Sequence, residues 1–199
     1  MNRKIISVVM IVGLILIVSG VCIVFANNNT ITQSDNTTNT NDTYSGTIYV
    51  STTGNDSNKG YTPQTSKKSI KKAVDNAPDG ATVLVSPGTY TEDTLYIKKN
   101  INLTGSGQNN TLILIDGRGI QNEAEKVVVK DFTLRQKNFH CMYGGIVNKG
   151  GFLTIERCTV LNYNSVDSKS IYNTHRTLVV KDCTYVDHKS LPEYEQSLN

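Results

Sequence analysis

The pattern of apolar and polar positions changes character several times along these 199 residues. An uncharged apolar run fills 5–26 and a polar stretch without periodicity fills 27–46. From 47 onward, short alternating segments are broken every few residues by Gly, Asn or Pro. Period-two alternation predicts strands at 47–51, 82–86, 94–97, 101–104 and 111–115. Between the first two the period switches. Ile70, Ala73, Val74 and Ala77 fall three and four apart, which predicts a helix of about three turns over 67–77, capped by Ser66 or Ser69 and ended by Pro78 and Gly80. No helix recurs between the later strands, which argues against a doubly wound sheet.

Farther along, three segments align without gaps: VVVKDFTL from Val127, LTIERCTV from Leu153 and LVVKDCTY from Leu178, with periods of 26 and 25 residues. A period in the twenties belongs to solenoids, in which each coil buries its apolar face only against its neighbours. Stacking places Val127, Leu153 and Leu178 in one inward column, Val129, Ile155 and Val180 in the next, and Phe132, Cys158 and Cys183 after a bend. Ile146 and Ile171 share a further register, as do Asn148 and Asn173, whose amides are expected to hydrogen-bond up the stack. The charges follow the same register. Lys130, Glu156 and Lys181 form one stack and Asp131, Arg157 and Asp182 the stack beside it, so every vertical neighbour is opposite in sign.

The ends of the chain read differently. Arg3 and Lys4 precede 22 uncharged residues, long enough to cross a bilayer, with the positive side in the cytoplasm and the remainder outside. Val24 and Ala26 also form a small-residue cleavage site, so a membrane anchor and a removed signal peptide both stand for 1–26, and both place the chain on the outer face of the cell membrane or make it secreted. Twelve of the twenty residues in 27–46 are Asn or Thr, which marks a flexible spacer unable to repay its ordering entropy by burial. Glycosylation triplets start at Asn28, Asn36, Asn41, Asn55, Asn102 and Asn109, a number that an Asn- and Thr-rich chain also produces by chance. The domain is expected over 47–190. Residues 191–199 form a tail in which Leu191, Tyr194 and Leu198 are available to cap the last coil; otherwise the end would pair with another subunit.

Composition narrows the partners. The formal charge is +3; without Arg3 and Lys4 it is 18 basic against 17 acidic side chains, or +1. Lysines alternate with acids and form no basic patch, so nucleic acid is not an expected partner. Cys141, Cys158 and Cys183 have no metal-binding spacing. Cys158 and Cys183 share a column, where stacked buried thiols compete with a disulfide.

The run IYVSTTGNDSNKG followed by SIKKAVDNAPDGATVLVSPGTYTEDTLYIKKNINLTGSG resembles the opening of right-handed parallel β-helix proteins of the pectin-lyase-like group, especially adhesin-like surface proteins of methane-producing archaea. The resemblance spans about 47–190 and implies an all-β, right-handed parallel β-helix with a short amino-terminal cap helix, preceded by a transmembrane or signal segment. Enzymes of the group would carry an acidic calcium cluster with a basic group, or paired carboxylates, on an outer face. The candidates here are Asp116, Arg118, Asp131, Glu156, Arg157 and Asp182. Asp131, Arg157 and Asp182 are the catalytic candidates and Asp131 with Asp182 the metal candidates, but their alternating charge is better suited to mutual neutralisation than to a metal site. Asp116 and Arg118 read as turn residues. His140, His175 and His188 do not match the repeat and read as loop residues. Tyr143, Tyr163, Tyr172 and Tyr185 are candidate sugar-stacking rings as well as packing residues. No cofactor is expected. Two functions remain: a non-catalytic surface adhesin or envelope module binding glycans or cell-envelope components, and a lyase or hydrolase acting on acidic polysaccharide.

Overall fold

Short strands ended by turn residues cannot bury an apolar face alone, and here they do so by stacking in parallel. The computed structural model describes residues 44–137, 145–162, 170–174 and 176–187. Thirteen strands are found among them, together with one α-helix and one 3₁₀ turn. Strands β1 (Thr47–Val50), β2 (Thr82–Val85), β5 (Asn102–Thr104), the first half of β8 (Lys126–Gln136), the first half of β10 (Phe152–Asn162) and β12 (Thr177–Lys181) pair in that order and make one leg of the solenoid. Beyond a bend, β3 (Gly88–Glu92), β6 (Thr111–Ile115), the second halves of β8 and β10, and β13 (Thr184–Asp187) make the second leg. The third side is the four-stranded sheet of β4 (Leu95–Ile97), β7 (Ile120–Asn122), β9 (Ile146–Asn148) and β11 (Ile171–Asn173). Every pairing is parallel, so the described domain is a β-solenoid.

The repeat register is the one that the sequence predicts. Val127 pairs with Leu153 and Leu153 with Leu178; Val129, Ile155 and Val180 lie in the neighbouring column. That second column runs through the whole leg as Ile48, Val83, Leu103, Val129, Ile155 and Val180. All are buried except Val180, which is 40% exposed because no further strand covers it among the described residues. Cys158 pairs in register with Phe132 and is buried. Cys183 packs beneath it as a second free thiol, its sulfur 3.4 Å from the Cys158 amide, so stacking rather than a disulfide explains the pair.

On the third side the expected amide ladder exists and is one rung longer than predicted. Asn122 Nδ2 donates to Asn148 Oδ1 at 2.8 Å, and Asn148 Nδ2 donates to Asn173 Oδ1 at 3.0 Å. Asn122 and Asn148 are fully buried, and each amide is satisfied by its neighbour and by turn backbone.

The helix, α1 (Ile70–Asn76), is shorter than the 67–77 expected. Ser69 caps it, accepting from the Lys72 amide, and Lys67 instead continues the edge of the sheet beside Val50. Ile70, Ala73 and Val74 turn inward, and the helix packs against β4, β1, β2 and β3, closing the amino-terminal end of the stack. Two short strands outside the segments predicted from the sequence, β3 and β7, complete the coils. Among the described residues no helix is long and apolar enough to cross a membrane; residues 5–26 lie outside them.

Candidate functional site: the charged corner

Where the two legs of the long sheet meet, the chain must turn without interrupting the inward columns on either side. In the last three described coils it does so with a single residue in the left-handed region: Asp131 (φ 64°), Arg157 (φ 46°) and Asp182 (φ 51°). Such angles are uncommon for residues other than glycine and carry a backbone cost. Glycine serves where the chain enters the third side, at Gly119 and Gly145 (φ 78° and 79°), because a Cβ there would strike the carbonyl of the next coil. At the corner the left-handed residues project outward, so charged side chains fit.

These three candidates are therefore brought together in consecutive coils. Arg157 grips Asp131 with two hydrogen bonds, Nε to Oδ1 at 2.6 Å and Nη2 to Oδ2 at 2.9 Å, and reaches Glu156 Oε2 from Nη1 at 3.3 Å. Lys181 Nζ lies 3.6 Å from the other Glu156 oxygen. The guanidinium holds the Asp131 carboxyl below the usual carboxylate range, and Asp131 in turn raises the Arg157 pKa. A general acid at neutral pH needs the opposite shift, and both Asp131 oxygens are already engaged. Asp182 is exposed on the last coil, and Gln108 Nε2 donates to its carbonyl at 3.4 Å from the loop that also anchors Gly105 and Gly107 on Lys130 and Asp131. Asp116 and Arg118 lie exposed on the bend between β6 and β7, as turn residues.

Other candidates are not gathered there. His140, His175, His188, Cys141, Tyr143 and Tyr163 lie outside the described residues. Tyr172 is half-buried on the third side, and Tyr185 stands at the carboxyl-terminal end, 60% exposed, in the column of Tyr90, Ile113, Leu134 and Val160. Among the described residues no three His, Cys, Asp or Glu side chains come together as a metal site.

A second acidic feature escaped the sequence reading. Asp56 and Glu92 line a cleft of about 360 Å³ with Thr52, Lys68, Ser69 and Tyr90. Glu92 is buried and accepts from the Ile70 and Lys71 amides at 2.6 and 3.1 Å, while Asp56 accepts from the Lys68 and Ser69 amides and the Ser69 hydroxyl. Burial pushes the Glu92 carboxyl up; the three hydrogen bonds and Lys67 pull Asp56 down despite some burial. All four oxygens hold the start of α1, so this pair is structural. The available signal was the pairing of NDS with PGTYTE on either side of the helix. The chain matches no family model, no curated protein and no solved structure. Its chemistry is thus read from its own geometry.

Proposed function

We propose that the chain is a non-catalytic surface module, a β-helix scaffold carried outside the cell on residues 5–26 and binding cell-envelope polysaccharide or the surface of another cell. The observation that carries this reading is the charged corner. Its buttressed carboxylate, Asp131, is spent on Arg157, and Glu156 is shared between Arg157 and Lys181, so the row where an enzyme of such a fold would hold reactive carboxylates serves to tie coils together. Beside it, Thr133, Thr159 and Thr184 follow one another on the outer face in consecutive coils, at roughly the 4.8 Å spacing of paired strands; the Thr133 hydroxyl donates to the Gln108 carbonyl at 2.9 Å, and Thr159 and Thr184 continue the row as a polar strip suited to repetitive hydroxylated polymers.

The right-handed sense of the coils and the kinship with pectin-lyase-like surface proteins of methane-producing archaea belong to the same proposal. They are supported by the opening coils, where the NDSNKG loop, α1 and the strand ending in TYTE form the capped end of the stack. The test is to display the full chain on cells and measure retention of neutral and acidic envelope polysaccharides, with T159K and T184K together as the comparison. Retention lost in the double variant, without release of unsaturated or reducing ends in the presence of calcium, is the expected result. Cleavage that disappears in D131N would instead establish the lyase or hydrolase reading.

A further inference from the structure

The two ends of the solenoid are finished differently. At the amino-terminal end the free edge of β1 is already occupied: Tyr49 N donates to Gly60 O at 2.7 Å, Lys67 N to Tyr49 O at 2.9 Å and Ser51 N to Lys67 O at 2.9 Å, while α1 closes the third side. At the other end β11, β12 and β13 are the last strands of their sheets among the described residues. A cavity of about 580 Å³ opens there, lined by Ile171, Leu178, Val180, Asp182, Cys183 and Tyr185. Such an apolar edge, unpaired among the described residues, is suited to take up another strand.

The last coil is self-complementary about its corner. A two-fold axis through the corner, bisecting the two legs, lays β12 antiparallel on β13 of a second copy and β13 on the second copy's β12. Lys181 then faces Asp182, Val180 faces Cys183, Leu178 faces Tyr185 and Val179 faces Thr184. Each of the first copy's inward residues, Leu178, Val180, Cys183 and Tyr185, meets an inward residue, and the outward Val179 and Thr184 meet each other. The corner stacks also continue across the junction with their signs still alternating: Lys130, Glu156, Lys181 and then Asp182 of the second copy; Asp131, Arg157, Asp182 and then Lys181 of the second copy. A head-to-tail contact offers none of this, because the β1 edge is filled and its equivalent positions, Tyr49 and Val50, carry no charge.

We infer that the carboxyl-terminal coil is an isologous interface, where two copies of this chain stack end to end as a closed dimer with Lys181 paired to Asp182 across the two-fold axis. The contact closes on itself, so it yields pairs and not fibres.

The test uses full-length chains bearing two different affinity tags, solubilised in detergent because of residues 5–26. Wild-type chains co-purify. K181D no longer retains K181D, nor D182K itself, each weakened on the order of tenfold or more by two like-charge contacts. Mixing K181D with D182K restores co-purification, because every cross-pair is again opposite in sign, and the K181D/D182K double variant pairs with itself. The restored mixture also shows that both single variants fold. A monomeric wild type would overturn the proposal in favour of an end covered by residues 188–199 or by another protein. Association indifferent to these charges, or no rescue in the mixture, would overturn it as well.

Discussion

Asn148 ties three consecutive coils together. Its amide accepts from Asn122 and donates to Asn173, and it is wholly buried. Replacing it by leucine keeps the volume but leaves polar groups of its neighbours unmatched, at about 1–3 kcal/mol for each buried group orphaned. We expect N148L to lower the urea midpoint strongly with an unchanged m-value, and N173L, at the half-exposed end of the ladder, to lower it less. Titration of Glu92 and Asp56 at the start of α1 and of Asp131 at the corner sets opposing pH dependences. Glu92 has a folded pKa raised by burial, so its contribution is fully present below about 4.5, its unfolded value, and is lost as pH rises through the folded one. Asp56 and Asp131 have lowered folded values, so their contributions are present above about 3.8 and are lost as pH falls through those values. Thermal melts from pH 3 to 7 should therefore show wild type gaining on E92Q as the pH falls toward 4.5, and losing its advantage over D131N below about pH 3.8. Parallel curves for all three would sink the assignment of these shifts.

At the scale of the element, the column through β8, β10 and β12 predicts a position-dependent cost for one kind of change. I155A removes atoms from a sealed site and should cost about 2–5 kcal/mol, whereas V180A, two-fifths exposed, should cost well under half as much in the dissociated chain. Chemical denaturation of dilute protein measures both. The same column shows why much of the fold was legible: a gapless repeat fixes register, and register fixes which side chains touch. Only three coils repeat in this way. The earlier coils share geometry without sharing sequence, so β3, which starts at Gly88 behind Pro87, and β7, only three residues long and directly after the IDGRG bend, gave no period to read. Asn122 was available as a signal, 26 residues before Asn148, but lies outside the aligned octapeptides. The left-handed corner was not legible, because Asp, Arg and Asp announce charge and not backbone conformation. Likewise the alternation of signs was visible at the corner, but the grip of Arg157 on both Asp131 oxygens required coordinates.

Across the molecule, stability must be unequal, because each coil is supported by its neighbours and, among the described residues, the strands of the last coil are paired on one side only. Hydrogen exchange should find the slowest amides in β8 and β10. The amides of β12 and β13 should exchange faster in dilute protein and slow as concentration rises and the end-to-end dimer forms. Concentration-independent exchange at β12 would argue that the end is covered within one chain. The filled edge of β1 has a further consequence, concerning time. Synthesis delivers residues 47–77 before any later coil, so the growing chain makes its closed end first and every subsequent strand arrives beside a template already in place. Only the newest edge is ever bare. Stalled chains that have exposed residues up to the end of β10 should already protect the amides of β1 and β2, and the fold then behaves as a stack laid from a finished base, whose height is set by when the laying stops.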